Sequence, residues 1–176
     1  FVVPTTEEES YSEAIVFMPV SYQVNDAHRK IDDTYPTRSS VGLPDRGIVF
    51  CCFNQAEKLT PEVFAVWMRL LKNVPDSVLW LLAFNSYTEK SLRARASSYG
   101  VDHGRLIFAP KIPYRKHLAR YKHADLFLDT FPCNAHTTAS DALWGGCPVL
   151  TCAGRTFASR VAGSLLTALK MEELIC

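Results

Sequence analysis

Five short apolar runs, each followed by a helix-like segment, constrain the fold of this chain more than any other feature. The runs cover residues 48–53, 77–83, 105–109, 124–129 and 148–152. Continuous apolar runs of this length are typical of strands that are buried on both faces of a parallel sheet. Their alternation with helices predicts an α/β fold, with a Rossmann-like parallel sheet, helices on both faces and right-handed crossovers.

Start and stop signals place the intervening helices. Thr60 and Pro61 provide a hydroxyl cap and a proline at the first helical position. Thr88 and Glu89 open a second helix, which Gly100 ends. The remaining helices are predicted over 114–122, from the turn after 136 to 144, and over 159–169.

Residues 1–43 differ from the rest of the chain in their sequence pattern, because their apolar residues show no sustained periodicity. We expect a connecting segment there, with a short helix or strand around 11–17, and a folded domain over 44–176. The 176 residues are 48% apolar and 21% charged, which is ordinary for a globular protein. A net charge of +1 gives no indication of a nucleic-acid surface, and no apolar run is long enough to cross a membrane.

The six cysteines form no CxxC pair and fit no zinc-binding spacing. Cys51, Cys52 and Cys152 lie in or beside apolar runs. We expect buried free thiols in a reducing compartment, the cytoplasm or the nucleus.

The stretch 129–141 lies between the fourth strand and its helix, at the sheet edge where ligands bind in such folds. His136, Thr137 and Thr138 fall at a helix N-terminus, whose unpaired N–H groups and dipole favour a phosphate or diphosphate. Asp141 shares a helical face with Thr138 and is suited to accept a hydrogen bond from a sugar hydroxyl. The alternative is structural: Thr137 or Thr138 only caps the helix, and Asp141 closes a capping box.

Polar side chains also follow the other strands of the predicted sheet. They are Asn54, Gln55 and Lys58 after the first, Lys111, Tyr114 and His117 after the third, and Arg155, Thr156 and Arg160 after the fifth. Such a set suits a nucleotide diphosphate with a ribose. Neither GxGxxG nor GxxxxGK[ST] is present, so the chain supports neither a common dinucleotide fold nor a P-loop.

Five sequence blocks resemble the protein O-linked N-acetylglucosamine transferase family. They begin at Phe53 (FNQAEK), Ser77 (SVLWLL), Cys133 (CNAHTTASD), Leu143 (LWGG) and Ala158 (ASRVA), and the resemblance extends from about residue 11 to residue 176. It implies one half of a GT-B glycosyltransferase, with UDP-N-acetylglucosamine as donor and Ser/Thr hydroxyls of cytoplasmic or nuclear proteins as acceptors. It also implies an inverting mechanism without a metal or any other cofactor.

This family usually carries a first catalytic half and a tetratricopeptide array before the matching region. We therefore expect both in the same gene product, together with the catalytic base, and further residues after Cys176. Two other functions stay open. The chain could be a non-catalytic UDP-binding or protein-interaction module, or it could belong to a GT-B transferase that uses another UDP-sugar.

The resemblance also implies roles for single residues. Lys58 matches the catalytic lysine that stabilises the charge of the UDP leaving group, and Gln55 matches a nucleotide contact. His117 matches a histidine that packs against uracil, and Arg120, one turn later, is a weaker candidate. The alternatives are a solvated surface lysine, a turn-stabilising amide, an ordinary residue of an amphipathic helix and a surface arginine, respectively.

The block around 136 supplies the other predicted contacts. His136, Thr137 and Thr138 match a diphosphate-binding turn, and Asp141 matches a ribose contact. Many animal members carry a lysine three residues before the histidine that matches His117, whereas this chain has Tyr114. A ribose contact at this point then comes from the Tyr114 hydroxyl or from Lys111, unless Tyr114 is a core aromatic.

Overall fold

The computed structural model describes residues 1–176 as a five-stranded parallel sheet surrounded by helices. The strands are β1 (Val49–Cys52), β2 (Val78–Leu82), β3 (Leu106–Ala109), β4 (Leu126–Leu128) and β5 (Val149–Leu150), in the spatial order β3-β2-β1-β4-β5. Every neighbouring pair is parallel. The α/β fold class predicted from the alternating pattern is confirmed.

Five α-helices connect the strands or follow them. They are α1 (Pro61–Asn73), α2 (Ser86–Ser98), α3 (Tyr114–Arg120), α4 (Thr137–Trp144) and α5 (Val161–Ala168). Only α2 begins clearly earlier than predicted, because the Asn85 side chain accepts a hydrogen bond of 2.8 Å from the Thr88 N–H and so caps the helix.

The centre of the sheet is covered on both faces. All four residues of β1 are buried, as are the first four of β2. Cys51 of β1 lies between Trp80 of β2 and Phe127 of β4 in the strand register. Trp80 is only 1% exposed and meets Phe53 edge to face, with the two ring centroids 5.1 Å apart. This packing fixes where β1 ends and hence where the residues after it emerge.

The strand order reverses beside β1. The chain adds β2 and β3 on one side of β1 and then returns to place β4 and β5 on the other side. In parallel α/β sheets, such a reversal opens a crevice at the carboxyl ends of the strands. The segments that follow β1 and β4 meet at this crevice.

The first 43 residues contain two short 3-10 helices, Thr5–Ser10 and Ser39–Val41, and no strand. The helix or strand expected around 11–17 is absent, so that prediction was wrong. The segment is nevertheless attached to the domain: the Asp32 N–H donates to the Arg115 carbonyl at 3.2 Å. The division of the chain at 43 and 44 stays a prediction.

The six cysteines are all free. Cys51, Cys52 and Cys147 are buried, and burial raises the pKa of the Cys51 thiol. Cys152 is exposed, contrary to expectation, because it lies just beyond the short edge strand β5. No helix is long and apolar enough to span a membrane.

Candidate functional site

A buried amide joins the ends of β1 and β4 at the crevice. The Asn54 side chain donates to the Thr130 hydroxyl at 2.8 Å and to the Asp129 carboxylate at 3.3 Å. Its carbonyl oxygen accepts a hydrogen bond from the Thr138 hydroxyl. Asn54 therefore ties the start of α4 to the two central strands.

Asp129 holds the loop between β4 and α4 in one conformation. Its carboxylate accepts from the N–H groups of Thr130 (2.7 Å) and Ala135 (2.6 Å) and from the hydroxyl of Thr151 (2.6 Å), which follows β5. Burial raises the pKa of Asp129 to about 6, although each of these hydrogen bonds lowers it. These contacts organise the loop between β4 and α4.

The N-terminus of α4 is left uncapped. The helix begins at Thr137, and His136 precedes it without a side-chain cap. The N–H groups of Thr137, Thr138 and Ala139 make no hydrogen bond within the protein. The capping alternative is wrong, because the Thr138 hydroxyl binds Asn54 and Asp141 does not face the helix start. Three free donors and the positive helix end remain for an anion.

Lys58 and His136 lie beside this helix start. The Lys58 ammonium donates to the Asn134 carbonyl at 2.7 Å, so it is a held side chain rather than a freely solvated one. The His136 Nε2 atom is buried without a hydrogen-bond partner. Burial, followed by the nearby Lys58 charge, lowers the pKa of His136 and keeps its imidazole neutral at pH 7.

Asp141 lies one turn along α4, where two side chains bind it. The Tyr114 hydroxyl donates to its Oδ1 atom at 2.7 Å, and the Arg29 guanidinium donates to the same atom at 2.8 Å. Burial raises the pKa of Asp141, and these two partners oppose that shift. Tyr114 is half exposed and is not a core aromatic, whereas Lys111 is exposed and makes no side-chain hydrogen bond.

His117 and Arg120 form a pair on α3. The Arg120 Nε–H donates to His117 Nδ1 at 2.9 Å, and its Nη1–H donates to the Pro110 carbonyl at 2.9 Å. Since Nδ1 is an acceptor, the imidazole carries its proton on Nε2. Burial, and then the Arg120 charge, lower the pKa of His117 to about 4. The ring packs on Phe53 and Tyr121, with centroids 5.5 and 5.3 Å away.

The Arg120 side chain is buried rather than exposed. It is 1% exposed, so the surface-arginine alternative is wrong. Its guanidinium lies behind His117, 4.5 Å from the centroid of the Phe53 ring. In this position it orients the histidine, and its contact with a UDP-sugar stays a prediction.

Gln55 is exposed at the entrance to the same region. Its backbone carbonyl accepts from the Lys58 N–H at 3.0 Å, whereas its side-chain amide makes no hydrogen bond within the protein. The amide is thus not what stabilises this turn, and it is free to meet a ligand.

Contacts therefore join some of the residues selected from the sequence: Lys58 after β1 binds Asn134 after β4, and Tyr114 after β3 binds Asp141 of α4. Arg29 and Asp129 were missed as members of the site. Asp129 ends an apolar run, which is a recognisable signal for a residue at a strand terminus. Arg29 has no such signal, since it stands in an aperiodic segment 112 residues before its partner. No cluster of three or more metal-ligating side chains is present.

An open-edged α/β sheet with an anion-accepting helix start at its reversal point defines a nucleotide-binding class of fold. The profile of the family described as Glycosyl transferase family 41 matches residues 32–176. The chain belongs to this family.

Individual relatives agree with the family match. The chain is 42% identical over 173 residues to the Arabidopsis thaliana protein described as probable UDP-N-acetylglucosamine--peptide N-acetylglucosaminyltransferase SEC. It is 42% identical over 139 residues to the Caenorhabditis elegans UDP-N-acetylglucosamine--peptide N-acetylglucosaminyltransferase. These matches cover 96% and 79% of the chain but only 18% and 12% of the relatives.

A solved structure of a Thermobaculum terrenum O-GlcNAc transferase mutant superposes with a TM-score of 0.84 at 29% identity. The match covers 99% of this chain and 33% of that one. It confirms the prediction of a Rossmann-like sheet of the kind found in a GT-B catalytic region. The chain spans less than a fifth of the two relatives above and a third of the solved structure.

Proposed function

We propose that this chain is the donor-binding half of a protein O-GlcNAc transferase. In this proposal it binds UDP-N-acetylglucosamine, whose sugar is transferred to Ser or Thr hydroxyls of acceptor proteins. The acceptor site and the catalytic base belong to the other catalytic half. The residue roles implied by the family resemblance are part of the proposal.

The uncapped start of α4 is the observation that carries it. Three backbone donors, the Thr137 hydroxyl and the Lys58 ammonium converge where the protein supplies no anion of its own. A diphosphate meets these donors without displacing any protein contact of Thr137. The neutral His136 beside them offers one further donor or acceptor.

Lys58 carries the chemistry that this half contributes. Cleavage of the sugar–phosphate bond leaves negative charge on the β-phosphate. A fixed ammonium and a helix N-terminus offset that charge as it develops, so we propose that the reaction proceeds without a metal ion.

The binding step is tested by calorimetric titration of the 176-residue chain with UDP. The Thr137→Ala/Thr138→Ala variant should bind about tenfold more weakly, because two hydroxyls are lost while the backbone donors remain. Thr5→Ala/Thr6→Ala is a matched control, since this exposed threonine pair begins a 3-10 helix elsewhere. Equal affinity in both double variants would remove the two threonine hydroxyls from the site.

A test of the sugar specificity needs the full-length protein. UDP-N-acetylglucosamine, UDP-glucose and UDP-galactose compete there for transfer to an acceptor peptide. Preference for either hexose over N-acetylglucosamine would refute the assigned donor. UDP binding without transfer of any sugar would favour a non-catalytic UDP-binding module.

A further inference from the structure

Arg29 reaches the crevice from the segment that precedes the sheet. Its Nη1 atom lies 2.8 Å from Oδ1 of Asp141 and 3.3 Å from the Tyr114 hydroxyl, and its Nη2 atom lies 3.3 Å from the Ser140 hydroxyl. The two charged side chains are only 10% and 6% exposed. This is a buried, hydrogen-bonded ion pair between residues 112 positions apart.

The segment around Arg29 is docked on α4 by several contacts. The Ser140 hydroxyl donates to the Asn25 side-chain carbonyl at 2.7 Å, and the Trp144 indole N–H donates to the Arg29 carbonyl at 3.3 Å. The guanidinium also lies over the Trp144 ring, 4.7 Å from its centroid. Residues 25–29 thus form part of the wall of the crevice rather than a free connection.

The geometry at Asp141 leaves one carboxylate oxygen for a ligand. Tyr114 and Arg29 both bind Oδ1. No protein donor binds Oδ2, and this atom is not among the buried polar atoms that lack a partner. A carboxylate that is held through one oxygen presents the other in a fixed direction.

We infer that Arg29 is a positioning residue of the nucleotide pocket, which fixes the Asp141 carboxylate so that Oδ2 accepts a hydrogen bond from a ribose hydroxyl. The inference rests on the proposed function, because it needs UDP at the start of α4. Arg29, from a distant part of the sequence, supplies a positive charge at Asp141, where Tyr114 supplies only a hydroxyl. Without Arg29, Asp141 would be a buried carboxylate with a single neutral donor, which disfavours its charged form.

The test compares UDP with 2′,3′-dideoxyuridine diphosphate by calorimetric titration of the 176-residue chain. The wild-type chain should bind UDP about three- to tenfold more tightly, the effect of one well-placed hydrogen bond. Arg29→Met keeps an apolar stem against Trp144 but removes the charge and the donors. In this variant the two ligands should bind about equally, with the affinity for the dideoxy nucleotide unchanged.

Lys30→Ala is the matched control, because it removes a positive charge from the next, exposed residue. It should retain the wild-type preference for UDP. Thermal unfolding of Arg29→Met, together with its unchanged affinity for the dideoxy nucleotide, separates a loss of ribose recognition from a loss of folding. Arg29→Ala provides a second variant with the same expected ratio.

Each other outcome is decisive. If the wild-type chain does not bind UDP, the proposed function fails first. If it binds both nucleotides equally, or if Arg29→Met keeps the preference for UDP, the role of Arg29 is refuted while the donor site stands. Tighter UDP binding by Arg29→Met would show that Arg29 obstructs Asp141, which also overturns the inference.

Discussion

At the scale of single residues, Lys58 is the side chain whose charge matters most in the transition state. Its ammonium is held by the Asn134 carbonyl at 2.7 Å beside the uncapped helix start. Lys58→Ala should therefore lower kcat by about two orders of magnitude and change KM by much less. Steady-state kinetics of the full-length protein measure both constants.

The control for Lys58 is Lys90→Ala, which removes an exposed lysine from α2. It should leave both constants at the wild-type values. A Lys58→Ala variant with an unchanged kcat and a raised KM would mean that the lysine contributes only uniform binding, and the catalytic role would be refuted.

His117 makes the folded chain sensitive to acid. Its pKa is about 4 in the folded state, below the value of roughly 6.5 for an unfolded histidine. Between these two pKa values the unfolded chain binds more protons than the folded chain. The contribution of His117 to the free energy of unfolding is therefore complete above pH 6.5 and is lost as the pH falls towards 4. The expected loss from this residue is about 2 kcal/mol at pH 4.5.

His117→Gln tests that dependence. The glutamine carbonyl can accept the Arg120 hydrogen bond but does not titrate. Urea unfolding at pH 7 and pH 4.5 should show a smaller loss of stability in the variant than in the wild-type chain. Asp129 titrates in the opposite sense, since its pKa is raised, but it is present in both proteins and cancels in the comparison. An equal loss in both proteins would contradict the assignment.

At the scale of the elements, the buried carboxylate of Asp129 connects the ends of β4 and β5. The Thr151 hydroxyl donates to it at 2.6 Å, and Thr151 is 2% exposed. Thr151→Val removes this donor at nearly constant shape and should cost about 1.5–3 kcal/mol, the usual range for a hydrogen bond to a charged group. Chemical denaturation at pH 7.5, where Asp129 is ionised, measures the change.

Thr167 on α5 is a control for Thr151, because its hydroxyl makes no hydrogen bond. Its hydroxyl is buried without a partner, so Thr167→Val should be neutral or slightly stabilising. If both valine variants lost the same stability, the cost would come from packing rather than from the Asp129 hydrogen bond.

The elements themselves were largely predictable, because each strand is a continuous apolar run and the first two helices have local start signals. The α2 boundary was misplaced since Asn85, and not Thr88, caps it. The residues around 11–17 were misjudged because a few apolar side chains in sequence do not specify a partner to pack against. Val16 and Val20, for example, are strongly exposed.

At the scale of the whole molecule, the site was predictable only where it follows a strand end. Lys58 and His136 could be selected because parallel strands bring their carboxyl ends to one edge. Arg29 could not, since its position depends on how an aperiodic segment crosses α4. The burial of Arg120 could not be predicted either, because a helical arginine is usually exposed and this one is buried against Phe53.

The amino-terminal edge of the sheet lies opposite the crevice, and we expect it to contribute to stability rather than to UDP binding. Arg105, just before β3, donates to the carbonyls of Ser77 (2.7 Å), Leu71 (2.8 Å) and Val74 (2.9 Å) and so joins the end of α1 to the start of β2. Arg105→Lys leaves at least one of these carbonyls unpaired, because an ammonium cannot reproduce the guanidinium fork. The variant should lose about 2 kcal/mol of unfolding free energy and bind UDP with unchanged affinity.

Thermal unfolding and UDP titration of Arg105→Lys, set beside a Thr137→Ala variant, separate the two edges. Thr137→Ala should show the reverse pattern, with weakened UDP binding and a nearly unchanged unfolding midpoint, since Thr137 is exposed and the α4 backbone donors are retained. A loss of UDP affinity in folded Arg105→Lys would instead mean that the amino-terminal edge transmits strain through β1 and β2 to the crevice. The division of binding and stability between the two edges would then be refuted.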